Sequence, residues 1–304
     1  MGLAMLPEEL LLLTQQWPCR DSQLKQLTSL LPNNTLPRPS TLVIHGPHAT
    51  GKSSVLSAFL EAQNTKHAIV RCRECITGRH LLERTVAAVH DSLQDGQQNG
   101  GAEAYNGRCE NLSTLTVHLE RLLKAEEKFI LVFDGIDKQR DAPPTLLPAL
   151  ARLGEFVPNL TTVLVLQHPS AHPLHQAGVP HIYFTPYTRN QSIHIVSQSP
   201  LDIFKDAPPD ELDYDDETHE EDKRWLWPRY CATVWDSLGQ NVARDLQAYK
   251  KVCHKLWRPF VEPIVKGDFG TRDFSRLLVR QRALFQDESV LLDSIVASKP
   301  LPVQ

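Results

Sequence analysis

The chain has 304 residues, 41% of them hydrophobic and 22% charged, with a formal net charge of −4. That length suits one large α/β core with a smaller satellite domain, and the slightly acidic balance excludes nucleic-acid binding through overall basicity. No apolar run reaches the ~20 residues that span a bilayer, and Glu8 and Glu9 interrupt an N-terminus without preceding positive charge, so neither a membrane partner nor a secretory signal is expected.

In chain order, the first forty residues carry one helix, from Arg20 to about Leu31, entered at Asp21-Ser22 and stopped by Pro32. After a Pro- and Asn-rich loop, short apolar runs alternate with helical patterns. Strands are expected at Thr41–His45, Ala68–Cys72, Phe129–Phe133, Thr161–Leu166 and His181–Thr185, and helices at 51–62, 79–93, 112–124 and 145–156. Five strands with helical crossovers predict an α/β fold whose mainly parallel sheet is covered on both faces. Beyond Tyr187 only helical patterns remain, at 189–198, 224–238, 241–257 and 272–294.

The division expected is an N-terminal helical segment and linker over 1–40, a sheet domain over 41–187 and a helical domain over 188–304. Residues 206–222 hold ten acids and no Lys or Arg. They read as a solvated insertion, with an acidic partner-docking segment as the alternative.

Six cysteines, at 19, 72, 75, 109, 231 and 253, are too scattered for a disulfide framework. Cys72 and Cys75 form a single C-x-x-C with no second ligand pair at zinc spacing, so structural thiols are expected. Of four N-x-S/T sequons, the one at Asn159 precedes an apolar strand, where turn chemistry accounts for it.

The segment GPHATGKS at 46–53 fits G-x-x-x-x-G-K-S/T at every fixed position, after an apolar strand and at the start of an amphipathic helix. Gly46 and Gly51 let the backbone curl so that N–H groups face phosphate oxygens, and the helix N-terminus adds its dipole. The nucleotide-binding residues expected are Gly46, Pro47, His48, Ala49, Thr50, Gly51, Lys52, Ser53 and Ser54. Lys52 is placed to reach the β- and γ-phosphates of ATP, and the Ser53 hydroxyl to ligate Mg²⁺.

A second motif, FILVFDGID at 129–137, puts Asp134 at a strand end, where an acid holds Mg²⁺ through water. Ser53 and Asp134 are thus the candidate metal residues. Active AAA+ ATPases usually carry next a Glu that polarises the attacking water. This chain has Gly135, and Asp137 is a short and distant substitute. No catalytic residue is assigned, and little or no hydrolysis is expected.

In the helical region GQNVARDLQAYKKV, at 239–252, resembles the sensor-2 helix of AAA+ lids, which makes Arg244 a candidate nucleotide contact. Gln167, after TTVLVL, is the sensor-1 candidate, with His168 and Ser170 nearby. The stretch 168–180 contains no Arg, leaving Arg189 as the nearest and a poor arginine-finger candidate.

Five segments, CRDSQLKQL (19–27), GPHATGKSS (46–54), RCRECITGRHLLE (71–83), VFDGID (132–137) and EPIVKG (262–267), together resemble the subunit-5 family of the eukaryotic origin recognition complex. The resemblance implies an AAA+ P-loop NTPase core with a mainly parallel five-stranded sheet, followed by a helical lid domain. It implies a nuclear subunit that binds ATP, joins other origin recognition complex subunits, and meets origin DNA through that complex to support replication initiation. ATP would be mainly structural, which agrees with Gly135, and the C-x-x-C belongs to the family pattern. The family pattern continues past the lid into a winged-helix-like region, and this sequence stops at Gln304, soon after the lid. The rival reading is an active AAA+ ATPase, DNA-dependent or a signalling switch. It needs a water-activating carboxylate and an arginine finger, and the sequence has a clear form of neither.

Overall fold

The computed structural model describes residues 7–32, 36–94, 108–124, 128–139, 141, 143, 145–168, 178–204, 216–242 and 245–285, with the backbone alone at 7, 216 and 239–242. The chain divides into two compact units: Met1–Pro47 with Gly51–Thr185, and Pro186–Gln304 with His48–Thr50.

The first unit is built on strands β1 (Thr41–His45), β2 (His67–Arg71), β3 (Phe129–Asp134), β4 (Leu160–Leu166) and β5 (His181–Tyr183). They form one sheet in the order β2-β3-β4-β1-β5, with every described pairing parallel. A parallel sheet is covered on both faces, so its central strands read as unbroken apolar runs. FILVF and LTTVLVL are such runs, and β4 is buried at every position.

The pleat sends alternate residues to opposite cores. Val43, Phe129, Leu131 and Phe133 join one core with Leu81, Val86, Leu115 and Leu119 of α4 (Gly78–Gln94) and α5 (Leu112–Leu123). Leu42, Ile44, Ile130 and Val132 join the other with Leu24, Leu27, Val55 and Phe59 of α2 (Asp21–Leu30) and α3 (Lys52–Ala62). Each such side chain contributes about 1.5–3 kcal/mol by leaving water.

A further helix, α1 (Pro7–Gln16), departs from the sequence reading. Four consecutive leucines, 10–13, mask its period: Leu13 enters the core while Leu11 and Leu12 stay exposed. The helix expected over 145–156 is two short ones, α6 (Leu146–Ala151) and α7 (Leu153–Phe156), broken at Arg152. Asn159 adopts φ 64° in the turn before β4, the left-handed conformation Asn tolerates.

The second unit is helical: α8 (Arg189–Ser197), α9 (Asp216–Val242), α10 (Leu246–Val265) and α11 (Phe274–Arg280). A capping box between Thr188 and Gln191 opens α8, and Asp245 caps α10. The core holds Trp227 and Trp257 edge to face, with centroids 4.9 Å apart. Their indole N–H groups donate to the carbonyls of Val196 and Asp202, each at 3.0 Å, which satisfies the buried polar edge of each ring.

Of the acidic segment, residues 206–215 lie outside the described residues, and 216–222 form the opening turns of α9, with Glu217, Thr218 and Glu221 exposed. Asp222 is only 3% exposed, takes Arg272 Nε at 2.6 Å and accepts from the Thr271 hydroxyl. A buried carboxylate requires such partners, and they come from residues about fifty positions away. No described helix is long and apolar enough to cross a membrane.

Candidate functional site

The loop between β1 and α3 owes its start to one close approach. Gly46 has φ 147°, and a Cβ on it would lie 2.2 Å from the Phe184 carbonyl oxygen, so no larger residue fits. Its N–H donates to the Gln167 carbonyl at 3.2 Å. Pro47, His48, Ala49 and Thr50 turn the chain, with Ala49 at φ 57°, and Gly51 is the N-cap of α3.

Lys52, Ser53 and Ser54 form the first turn of α3, an 11-residue helix whose free N–H groups and dipole favour an anion. The Lys52 ammonium donates to the carbonyls of Gly46 at 2.7 Å and Pro47 at 2.6 Å. Burial pulls its pKa down to about 8, opposed by the Asp137 and Asp134 carboxylates.

Opposite the loop, the Ser53 hydroxyl donates to Asp134 Oδ1 at 2.8 Å. The two residues reach each other because β1 and β3 both flank β4. A hydroxyl and a carboxylate at this distance are hard oxygen donors of the kind Mg²⁺ takes, directly or through water, so the residues present fit that ion.

Gly135 follows with φ 70°, and its N–H donates to the Val165 carbonyl at 3.0 Å. A Glu there would sit in the left-handed region at a cost of about 1–2 kcal/mol. The turn therefore favours glycine for its own geometry. Asp137 Oδ2 accepts from the Gln167 backbone N–H at 2.9 Å, so this carboxylate braces the turn against the end of β4. Gln167 thus serves both motifs through its main chain, its carbonyl taking Gly46 and its N–H giving to Asp137.

Two residues of the site were not legible as such in the sequence. Arg20 is 1% exposed, donates to the Thr185 carbonyl at 2.8 Å, and lies 5.5 Å from the Phe184 ring centroid. It clamps the segment whose backbone abuts Gly46. Its only sequence signal was membership of CRDSQLKQL. Arg73, in the turn that follows β2, has its side chain beside Gly135.

Of the remaining candidates, Arg244 and Ser170 lie outside the described residues, and His168 is exposed. Arg189 pairs with both carboxylate oxygens of Asp236, at 2.8 and 2.6 Å, and so joins α8 to α9. Cys72 and Cys75 are buried, and burial pushes both thiols up, as structural thiols behave.

Comparison with known proteins agrees with this geometry. A family model described as AAA ATPase domain matches residues 16–165, and one described as ORC5, lid domain matches residues 227–286. The chain is 27% identical over 263 residues to origin recognition complex subunit 5 of Schizosaccharomyces pombe, covering 85% of this chain and 54% of that protein. For the Homo sapiens protein of the same name the identity is 26% over 270 residues, covering 85% and 56%. The chain thus spans about half the length of the curated relatives it matches.

Among solved structures, a chain of Drosophila ORC bound to DNA aligns with TM-score 0.65 at 21% identity, over 92% of this chain and 70% of that one. The Aeropyrum pernix ORC1 protein in complex with DNA aligns with TM-score 0.53 at 18% identity, over 98% and 72%. The fold is that of an AAA+ ATPase domain followed by a helical region, as the sequence led us to expect.

Proposed function

We propose that this chain, an AAA+ fold protein related to origin recognition complex subunit 5, is the ATP-binding subunit of such a complex and holds ATP without turning it over. The observation that carries the reading is a complete phosphate loop facing a Walker B turn that lacks a base. Lys52 and the first turn of α3 bind and orient the phosphates, while Ser53 and Asp134 hold Mg²⁺. When bound, the metal neutralises charge on the phosphate oxygens. Gly135 carries no carboxylate to deprotonate water, and Asp137 is committed to the Gln167 N–H.

A ligand bound only by the assembled form stabilises it by RT ln(1 + [L]/Kd), about 4 kcal/mol at a thousandfold excess over Kd. That is enough for ATP to govern association with other origin recognition complex subunits without hydrolysis. Origin DNA is met through the complex, and the site of action is the nucleus. The names of the relatives and the DNA-bound Drosophila ORC support this part of the reading.

The test is co-purification of the tagged chain with the other subunits at limiting ATP, beside a single-turnover hydrolysis assay. Lys52→Ala is expected to remain soluble, to lose ATP–Mg²⁺ and to drop out of the complex. Normal assembly of Lys52→Ala overturns the assembly role. Wild-type turnover of ~1 s⁻¹ or faster, lost in Lys52→Ala, would instead establish the active-ATPase alternative.

A further inference from the structure

The turn that carries no base carries two cations. Strands β2 and β3 run in parallel register with Arg71 opposite Asp134, and the 3₁₀ turn Cys72–Glu74 follows at once. It brings Arg73 beside Gly135: a Cβ at residue 135 would lie 3.5 Å from Arg73 Nε and 3.6 Å from its Cγ. The preceding Arg71 is committed to Glu74 at 3.5 Å, whereas no described hydrogen bond or ion pair holds the exposed Arg73 guanidinium.

Lys138 ends the turn Ile136–Lys138, half-buried, and its ammonium likewise has no described carboxylate within ion-pair distance. Burial and the neighbouring Arg73 charge push its pKa down. The Asp137 and Asp134 carboxylates offset this in part without a described ion pair to Lys138, and two cations brought together favour an anion between them. Gly135 follows Asp134, whose carboxylate takes the Ser53 hydroxyl at 2.8 Å, so the turn that Arg73 abuts and the phosphate loop flank one region.

We propose that Arg73 and Lys138 bind the terminal phosphate of ATP, making the turn beside Gly135 a second phosphate-binding surface that selects triphosphate over diphosphate. The inference rests on the nucleotide-binding reading above and adds to it. A cationic pair at this position holds the phosphate but cannot accept a proton from water, so the contact does not supply the missing base.

The experiment is titration of the full chain with fluorescent ATP and ADP analogues in Mg²⁺, for wild type, Arg73→Ala, Lys138→Ala, Arg73→Lys and the nearby control Arg71→Ala. Loss of a charged hydrogen bond predicts about tenfold weaker ATP binding in Arg73→Ala and in Lys138→Ala, with ADP affinity held within about twofold. Arg73→Lys and Arg71→Ala are expected to keep the wild-type ATP-to-ADP ratio. An unchanged ratio in both alanine variants overturns the inference alone, as does an equal loss in Arg71→Ala, which would mean general electrostatics. Normal ATP binding combined with failure to co-purify with partner subunits also overturns it, assigning the cations to an acidic group on a neighbour. If the wild type binds neither nucleotide, the nucleotide-binding reading itself falls.

Discussion

The hydroxyl of Ser53 donates to the carboxylate of Asp134 at 2.8 Å, joining the first turn of α3 to the end of β3 across 81 positions of sequence. This bond holds the two candidate Mg²⁺ ligands together. Because Asp134 is expected to act through water, Asp134→Asn should remove about tenfold of the affinity gain that Mg²⁺ confers on ATP, the usual scale for a group outside the inner coordination shell. Affinity measured in EDTA should not change. A comparable loss in EDTA would place Asp134 in loop stability instead.

The lowered pKa of Lys52 should make ATP binding pH-dependent. Free Lys52 loses its proton near pH 8, and phosphate favours the charged form, so binding above that pH takes up a proton. Affinity should therefore fall as pH rises past 8, approaching tenfold per unit before the unfolded lysine value is reached. Isothermal calorimetry in buffers of different ionisation heat should show uptake near one proton at pH 9 and little at pH 7. Stability of the free chain runs the other way. The folded state binds fewer protons than the unfolded state between pH 8 and the ordinary lysine range, so this group makes folding more favourable as pH rises through that window.

Restoring a carboxylate should not restore hydrolysis. Gly135→Glu places a side chain in the left-handed region at φ 70°, beside Arg73, which would pair with the new carboxylate. The variant is expected to melt earlier than wild type and to hydrolyse ATP more slowly than ~1 s⁻¹ in a single-turnover assay. Rapid hydrolysis by Gly135→Glu would mean that a carboxylate at this position is all the site needs for turnover.

In the helical unit, stability should depend on the opening of α9 as well as on its aromatic core. Trp227→Ala removes a fully buried ring and its bond to the Val196 carbonyl, and is expected to cost about 3–5 kcal/mol. Asp222→Ala leaves Thr271 and Arg272 without their shared carboxylate and should cost about 1–3 kcal/mol. Glu217→Ala, exposed on the same helix, serves as the neutral control. Chemical denaturation of the three variants checks the order, and equal stability of Asp222→Ala and Glu217→Ala would mean that the Asp222 contacts add nothing to the fold.

The phosphate loop was legible in the sequence because its chemistry is contiguous: one strand end, eight residues and one helix start contain every group it needs. The strands were legible for a related reason, since a parallel sheet buried on both faces demands unbroken apolar runs whatever surrounds them. Local patterns misled where neighbours in space outweighed neighbours in sequence. The acidic run gave no sign that Asp222 is buried against Thr271 and Arg272, and α1 was hidden by leucines that only a surrounding core could sort into inward and outward. The working character of the nucleotide site was likewise decided by tertiary contacts. Gln167 ties the two motifs through main-chain atoms, which no side-chain motif can encode. Arg73 meets Gly135 only because β2 lies next to β3, and glycine at 135 reads as a lost carboxylate until that pairing puts a guanidinium beside it.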